Sequence, residues 1–118
     1  MDNEDSIRAL AALAHTHRLA VFRLLVGQGP KGLPAGAIAD AIGLAPSSLT
    51  FHLHHLHRAD LVTQRRESRQ LFYAADFAAM NALIGYLTDH CCGGDAAACA
   101  PIKPTSARTS LVRKRKLA

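Results

Sequence analysis

Gly43 and Pro46 stand three positions apart, with only Leu44 and Ala45 between them, and this spacing restricts the possible folds of the chain more than any other feature. Glycine just past an apolar-periodic segment stops a helix, and proline suits the opening turn of one, where its missing N–H would have had no partner. One helix therefore ends and another begins in a space that holds only a turn. The first is short: Pro34 suits its opening turn, and Ile38 and Ile42 face the core before Gly43. The second is predicted over about 46–59, where Leu49, Leu53 and Leu56 recur at i, i+4 and i+7. One narrow stripe then packs inward. At about 100° per residue, Ser47, Thr50, Phe51, His54 and Arg58 fall on the opposite face, with Ser48 beside Ser47. Two helices joined by a tight turn, the second presenting hydroxyls and hydrogen-bonding side chains, make a helix-turn-helix.

The flanking segments extend this unit. Ile7, Leu10, Ala11 and Ala14 recur at helical spacing and predict a first helix over about 5–14. His15 or Thr16 is placed to cap a second, with Leu19, Phe22, Leu25 and Val26 inward and Gly27-Gln28-Gly29-Pro30 as its stop. Residues 27–33 read as a loop. After the helix-turn-helix, Leu61–Arg65 and Gln70–Ala74 read as paired strands joined by a turn at Arg66-Glu67-Ser68-Arg69. A hairpin in that place is a wing, and its basic tip is suited to phosphate or the minor groove. Asp76 caps a final helix over about 77–92, with Phe77, Met80, Ile84, Leu87 and Cys91 on one stripe and Gly93-Gly94 as its end. The fold class is mainly α with a β-hairpin. A chain of 118 residues with 22 alanines and 16 leucines holds one domain, over 1–92, which excludes a multidomain enzyme. A core of that size is modest, and pairing of two copies is a common remedy. A cysteine-containing connector at 93–102 and a disordered basic tail at 103–118 follow.

The net charge of +5 is concentrated in that tail, where Lys103, Arg108, Arg113, Lys114, Arg115 and Lys116 have no acidic neighbour. The body is nearly neutral, yet Arg58, Arg65, Arg66 and Arg69 still gather in one stretch. Any nucleic-acid surface in the body is expected there. Ser47, Thr50 and Phe51 are placed for base-edge contact, His54 for base or phosphate, and the four arginines for phosphate or groove, with Ser48 also a DNA-binding residue. His15, His17, Arg18 and Arg23 interrupt the first apolar stretch, so no membrane span is expected. The acidic opening Met1-Asp2-Asn3-Glu4-Asp5 is unlike a signal peptide and predicts a cytoplasmic protein.

Cys91, Cys92 and Cys99 are an odd set that closes no disulfide framework, which leaves metal binding or redox sensing. His52/His55 and His54/His57 have the spacing of two ligands on one helix face, but no nearby carboxylate or cysteine completes either pair. His54 is read as a DNA donor, His52 and His55 as flanking residues and His57 as a solvated neighbour of the core stripe.

In this order and at this spacing the segments resemble the ArsR/SmtB family of bacterial winged-helix repressors. The resemblance rests on Leu13-Ala14-His15-Thr16-His17-Arg18-Leu19, on Ser48-Leu49-Thr50-Phe51-His52-Leu53-His54-His55-Leu56, and on Ala59-Asp60-Leu61-Val62 with Arg65-Arg66-Glu67-Ser68-Arg69-Gln70-Leu71-Phe72-Tyr73. It covers about residues 7–92. It implies a homodimer formed through the first and last helices, which binds double-stranded operator DNA and releases it on binding a metal or metalloid. The family's cysteine pair at the start of the helix-turn-helix is missing from Pro34–Asp40, and its Asp/His site on the last helix is missing too, with Ala78 two positions after Asp76. Cys91, Cys92 and Cys99 resemble the C-terminal triad of the family's arsenic sensors. Three thiolates suit the three-coordinate, lone-pair-bearing ions As(III) and Sb(III) as inducer. His90 is available to complete a tetrahedral zinc or cadmium site instead, and a redox thiol sensor is a further alternative. No organic cofactor is expected. A small thiol oxidoreductase is the rival outside DNA binding, but a CxxC motif and a βαβ frame are both missing. A winged-helix module that binds protein rather than DNA is another.

Overall fold

The computed structural model describes residues 1–94. Five helices and a three-stranded antiparallel sheet follow in the order α1 (Asn3–Leu13), α2 (Thr16–Gln28), β1 (Leu33–Pro34), α3 (Ala35–Ile42), α4 (Pro46–Arg58), β2 (Val62–Glu67), β3 (Gln70–Ala75) and α5 (Phe77–Leu87). A short turn, Cys91–Gly94, comes last. This is a winged helix-turn-helix. Cys99, most of the expected connector and the basic tail lie outside the described residues.

α1 begins two residues earlier than its apolar spacing indicates, because Asp2 and Asp5 form a reciprocal capping box. The residues that reveal its periodicity are not the ones it buries. Ser6, Ala9 and Ala12 are buried, whereas Ile7, Leu10, Ala11 and Ala14 are exposed. Small side chains let α1 approach its neighbours closely, and the larger ones are left outside. Ser6 is satisfied in that position by donating its hydroxyl to the Asp2 carbonyl at 2.9 Å.

α2 starts where expected: His15 is extended, and its Nδ1 accepts the His17 N–H at 3.1 Å. Val21, Phe22 and Leu25 are buried, but Leu19, expected inward, is exposed. Leu33, the end of the expected loop, and Pro34, expected in the first turn of α3, instead form β1, which pairs with β3 in the register Leu33↔Tyr73 and Pro34↔Phe72 and leaves Pro34 as the extended N-cap of α3. α3 ends as predicted at Gly43, in the left-handed conformation. α4 opens on Pro46 and buries Leu49, Leu53 and Leu56 against Leu25, Ile38 and Leu61. The hairpin runs further than expected. Arg66 and Glu67 belong to β2, Gln70 pairs with Glu67, and only Ser68-Arg69 form the turn, with Ser68 left-handed.

α5 is capped by Asp76, whose side chain accepts the Ala79 N–H at 3.0 Å. It stops at Leu87, about five residues short of the predicted end. The Thr88 hydroxyl donates to the Ile84 carbonyl at 2.9 Å, and the backbone then turns left-handed at His90, Cys92 and Gly93. Cys91 is therefore not on the α5 stripe, and Gly93-Gly94 do not end that helix. Leu83 is the buried side chain of α5, while Ile84 and Leu87 lie in solvent.

Gly32 sits at φ +68°, and a Cβ there would overlap the backbone carbonyl of Tyr73 on β3. Gly36, in α3, has open space around it. Gly32→Ala should destabilise the chain by about 1–3 kcal/mol in urea unfolding, whereas Gly36→Ala should be neutral or stabilising by up to about 1 kcal/mol.

Candidate nucleic-acid interface and thiol segment

The leucine stripe of α4 fixes its outer face. Ser47, Ser48, Thr50, Phe51, His54 and Arg58 are all exposed on it, as their spacing predicts. Thr50 donates its hydroxyl to the Pro46 carbonyl at 2.9 Å, so in this rotamer its oxygen is available chiefly as an acceptor. Phe51 is 59% exposed, and its ring meets the His55 ring edge-on at 4.6 Å between centroids. A large apolar ring held on a polar face is suited to thymine methyl groups.

The three wing arginines are not equivalent. Arg65 donates from Nε to Glu67 at 2.7 Å and lies over the Phe72 ring at 4.8 Å, so it is held along the hairpin. Arg66 and Arg69 are exposed and have no ion pair among the described residues. Their charge is available to an incoming polyanion.

His52 departs from its expected place on the flank of α4. It is only 7% exposed, and its ring packs against His15 at 4.6 Å and His17 at 5.6 Å between centroids. Neither histidine pair read from α4 alone is the cluster that forms. The partners come from the start of α2, and nothing local in the sequence joins positions so far apart. Burial, then the nearby His15 and Arg18, pushes the His52 imidazole below its ordinary range. Desolvation, followed by Arg18 and Arg58, does the same to His55.

Cys91 and Cys92 are both exposed just beyond α5. Adjacent residues of a regular helix point about 100° apart, but Cys92 lies at φ 57°, so that restriction does not apply to this pair. Cys99, the third expected ligand, falls outside the described residues.

The winged fold, the hydrogen-bonding outer face of α4 and the unpaired wing arginines define a DNA-binding transcriptional regulator. A helix-turn-helix domain model matches residues 13–65. Nodulation protein NolR of Rhizobium meliloti is 32% identical over 88 residues, spanning 75% of this chain and 70% of that protein. The crystal structure of NolR from Sinorhizobium fredii is 30% identical with a TM-score of 0.58, covering 73% of this chain and 83% of that one. A similar match is the solution structure of the homodimeric winged helix-turn-helix DNA-binding domain of Mb0332 from Mycobacterium bovis, a possible ArsR-family transcriptional regulator. It is 29% identical, with a TM-score of 0.59, and covers 79% of this chain and 86% of that one. The chain belongs to the ArsR/SmtB family of winged-helix regulators. Among the described residues no single helix is long and apolar enough to cross a membrane.

The two faces of α4 should separate cleanly in a stability measurement. Leu53→Ala, at a fully buried position, should cost about 2–5 kcal/mol, and Phe51→Ala less than about 1 kcal/mol, in the same urea-unfolding experiment.

Proposed function

We propose that the chain is a homodimeric repressor that grips operator DNA with α4 and the wing, and lets go when Cys91, Cys92 and Cys99 take up As(III) or Sb(III). The observation that carries the inducer reading is the pair of adjacent exposed cysteines immediately after α5. The donor set fits the ion, because soft thiolates favour a soft trivalent centre and three of them satisfy it. Each thiol gives its proton to a hydroxide ligand of arsenous acid, so three As–S bonds form as three As–O bonds break and three waters leave.

Dimerisation is supported by apolar surface on α1 and α5. Ile7 and Leu87 are each 57% exposed, Leu10 and Ile84 are exposed too, and the Tyr86 hydroxyl donates to Asn3 Oδ1 at 3.0 Å, joining the two helices. Such a surface on a small domain is suited to a second copy, as in the homodimeric Mb0332 domain. The thiols follow α5 within a few residues, so drawing them together acts on the end of that interface. The grip weakens only as far as the DNA-free form binds the ion better. Typical coupling of about 1–3 kcal/mol corresponds to a roughly 5- to 150-fold loss of operator affinity.

On the DNA, Ser47, Ser48, Thr50, Phe51 and His54 face base edges, and Arg58, Arg65, Arg66 and Arg69 face phosphate or the groove. Arg66 and Arg69 should contribute more than Arg65, which is already paired.

Arsenite titrated into the complex with the chain's own promoter should lower affinity within that 5- to 150-fold range, and Cys99→Ser should remove the response while leaving basal binding intact. Release by peroxide but not by arsenite would instead favour a redox sensor. Arg66→Ala should weaken binding to all sequences alike and reduce the slope of log affinity against log salt by about 1. Loss of specificity at full affinity would contradict the phosphate role.

A further inference from the structure

His15 and His17 at the entrance of α2 meet His52 on the inner flank of α4, and one ring nitrogen from each lies within 4.8 Å of the other two. His52 is the anchor of the group. It is 93% withdrawn from solvent, since its exposure is 7%, and its Nδ1 has no hydrogen-bond partner. A buried polar atom left unpaired typically costs about 1–3 kcal/mol, so such atoms are rare unless something else satisfies them. The other two rings are placed to move: His15 is exposed and His17 half-buried.

We propose that His15, His17 and His52 form a three-imidazole site for a divalent transition ion of the zinc class, separate from the cysteine segment and independent of the arsenic reading. Three neutral imidazoles with no carboxylate suit Zn(II), Ni(II) or Co(II) and are poor ligands for Mg(II) or Ca(II), which take oxygen. Zinc–nitrogen bonds of about 2.0–2.1 Å in a tetrahedron place the nitrogens roughly 3.4 Å apart. The contraction falls to the exposed His15 and the half-buried His17, which are freer to turn than the buried His52. His15 is exposed, so the fourth ligand of the ion is expected to be water.

Binding has a chemical consequence at the start of α2. His15 Nδ1 now accepts the His17 N–H. If Nδ1 turns to the metal, that bond is lost. If Nε2 binds instead, a neutral ring must carry its proton on Nδ1, and the bond is lost equally. The ion therefore replaces a helix cap, worth about 1 kcal/mol, with a bridge from the first turn of α2 to the recognition helix.

The test uses the full-length chain with Cys91, Cys92 and Cys99 all replaced by serine, so that the thiols cannot contribute. Co(II) should bind at one per chain with visible d–d absorption, Zn(II) should displace it, and Zn(II) should raise the melting temperature. The His17 backbone amide resonance should shift on Zn(II) binding. His17→Ala, a change at a half-buried position that leaves the core intact, should weaken binding at least about tenfold and remove the melting shift. The double variant His54→Ala/His57→Ala should bind as the parent does. No Co(II) or Zn(II) binding to a folded parent, or undiminished binding in His17→Ala, would overturn the site. Loss of binding in the His54/His57 double variant with retention in His17→Ala would assign the ion to the outer face of α4 and equally overturn it. Because the serine background removes the arsenic ligands, each result leaves the arsenite response untouched.

Discussion

Burial of Leu49, Leu53 and Leu56 sets the angle at which α4 faces the world. Each side chain contributes about 1.5–3 kcal/mol by leaving water, so turning the helix by even one residue position would expose leucine and bury polar groups. The hydroxyls, the phenyl ring and Arg58 on the other side therefore cannot drift from the surface they present. The turn between Gly43 and Pro46 fixes the second coordinate by bringing α3 across α4 at a set distance. DNA reading in this molecule is a by-product of core packing, and mutations that loosen the core should blur recognition before they remove it.

What local chemistry governs was legible in the sequence. The Gly43 stop, the Pro46 start, the His15 cap, the Asp76 cap and the α4 stripe are each decided within a few residues, and each is where its spacing placed it. The misses share a different cause. Which side of α1 is buried depends on how closely neighbouring helices approach, and that selected Ser6, Ala9 and Ala12 over the larger Ile7 and Leu10. β1 is two residues long and exists only because β3 is there to pair with it. α5 ends well before the glycines, with left-handed backbone at His90 and Cys92 already breaking the helix, and apolar periodicity does not report such a break. His52 looked like a flanking residue because its surroundings come from the start of α2.

The apolar residues of α1 and α5 carry a related lesson. Ile7, Leu10, Ile84 and Leu87 have the spacing of core residues and lie outside this core. Periodicity reports that a face avoids water, not which chain covers it. In the homodimer proposed above, a second copy satisfies the pattern as well as the chain's own core would have, and a small single-chain interior favours such pairing.

The short pairing of Leu33 and Pro34 with Tyr73 and Phe72 has a mechanical result. It stitches the segment leading into α3 to the inner strand of the hairpin, while the Asp76 N–H donates to the Leu61 carbonyl at 2.9 Å and closes the far end. The hairpin is thereby tied to the segment entering α3 on one side and closed on itself at its base. On the repressor reading proposed above, a push delivered through α5 is passed to the wing and its neighbouring helix as one unit rather than spent in bending one against the other.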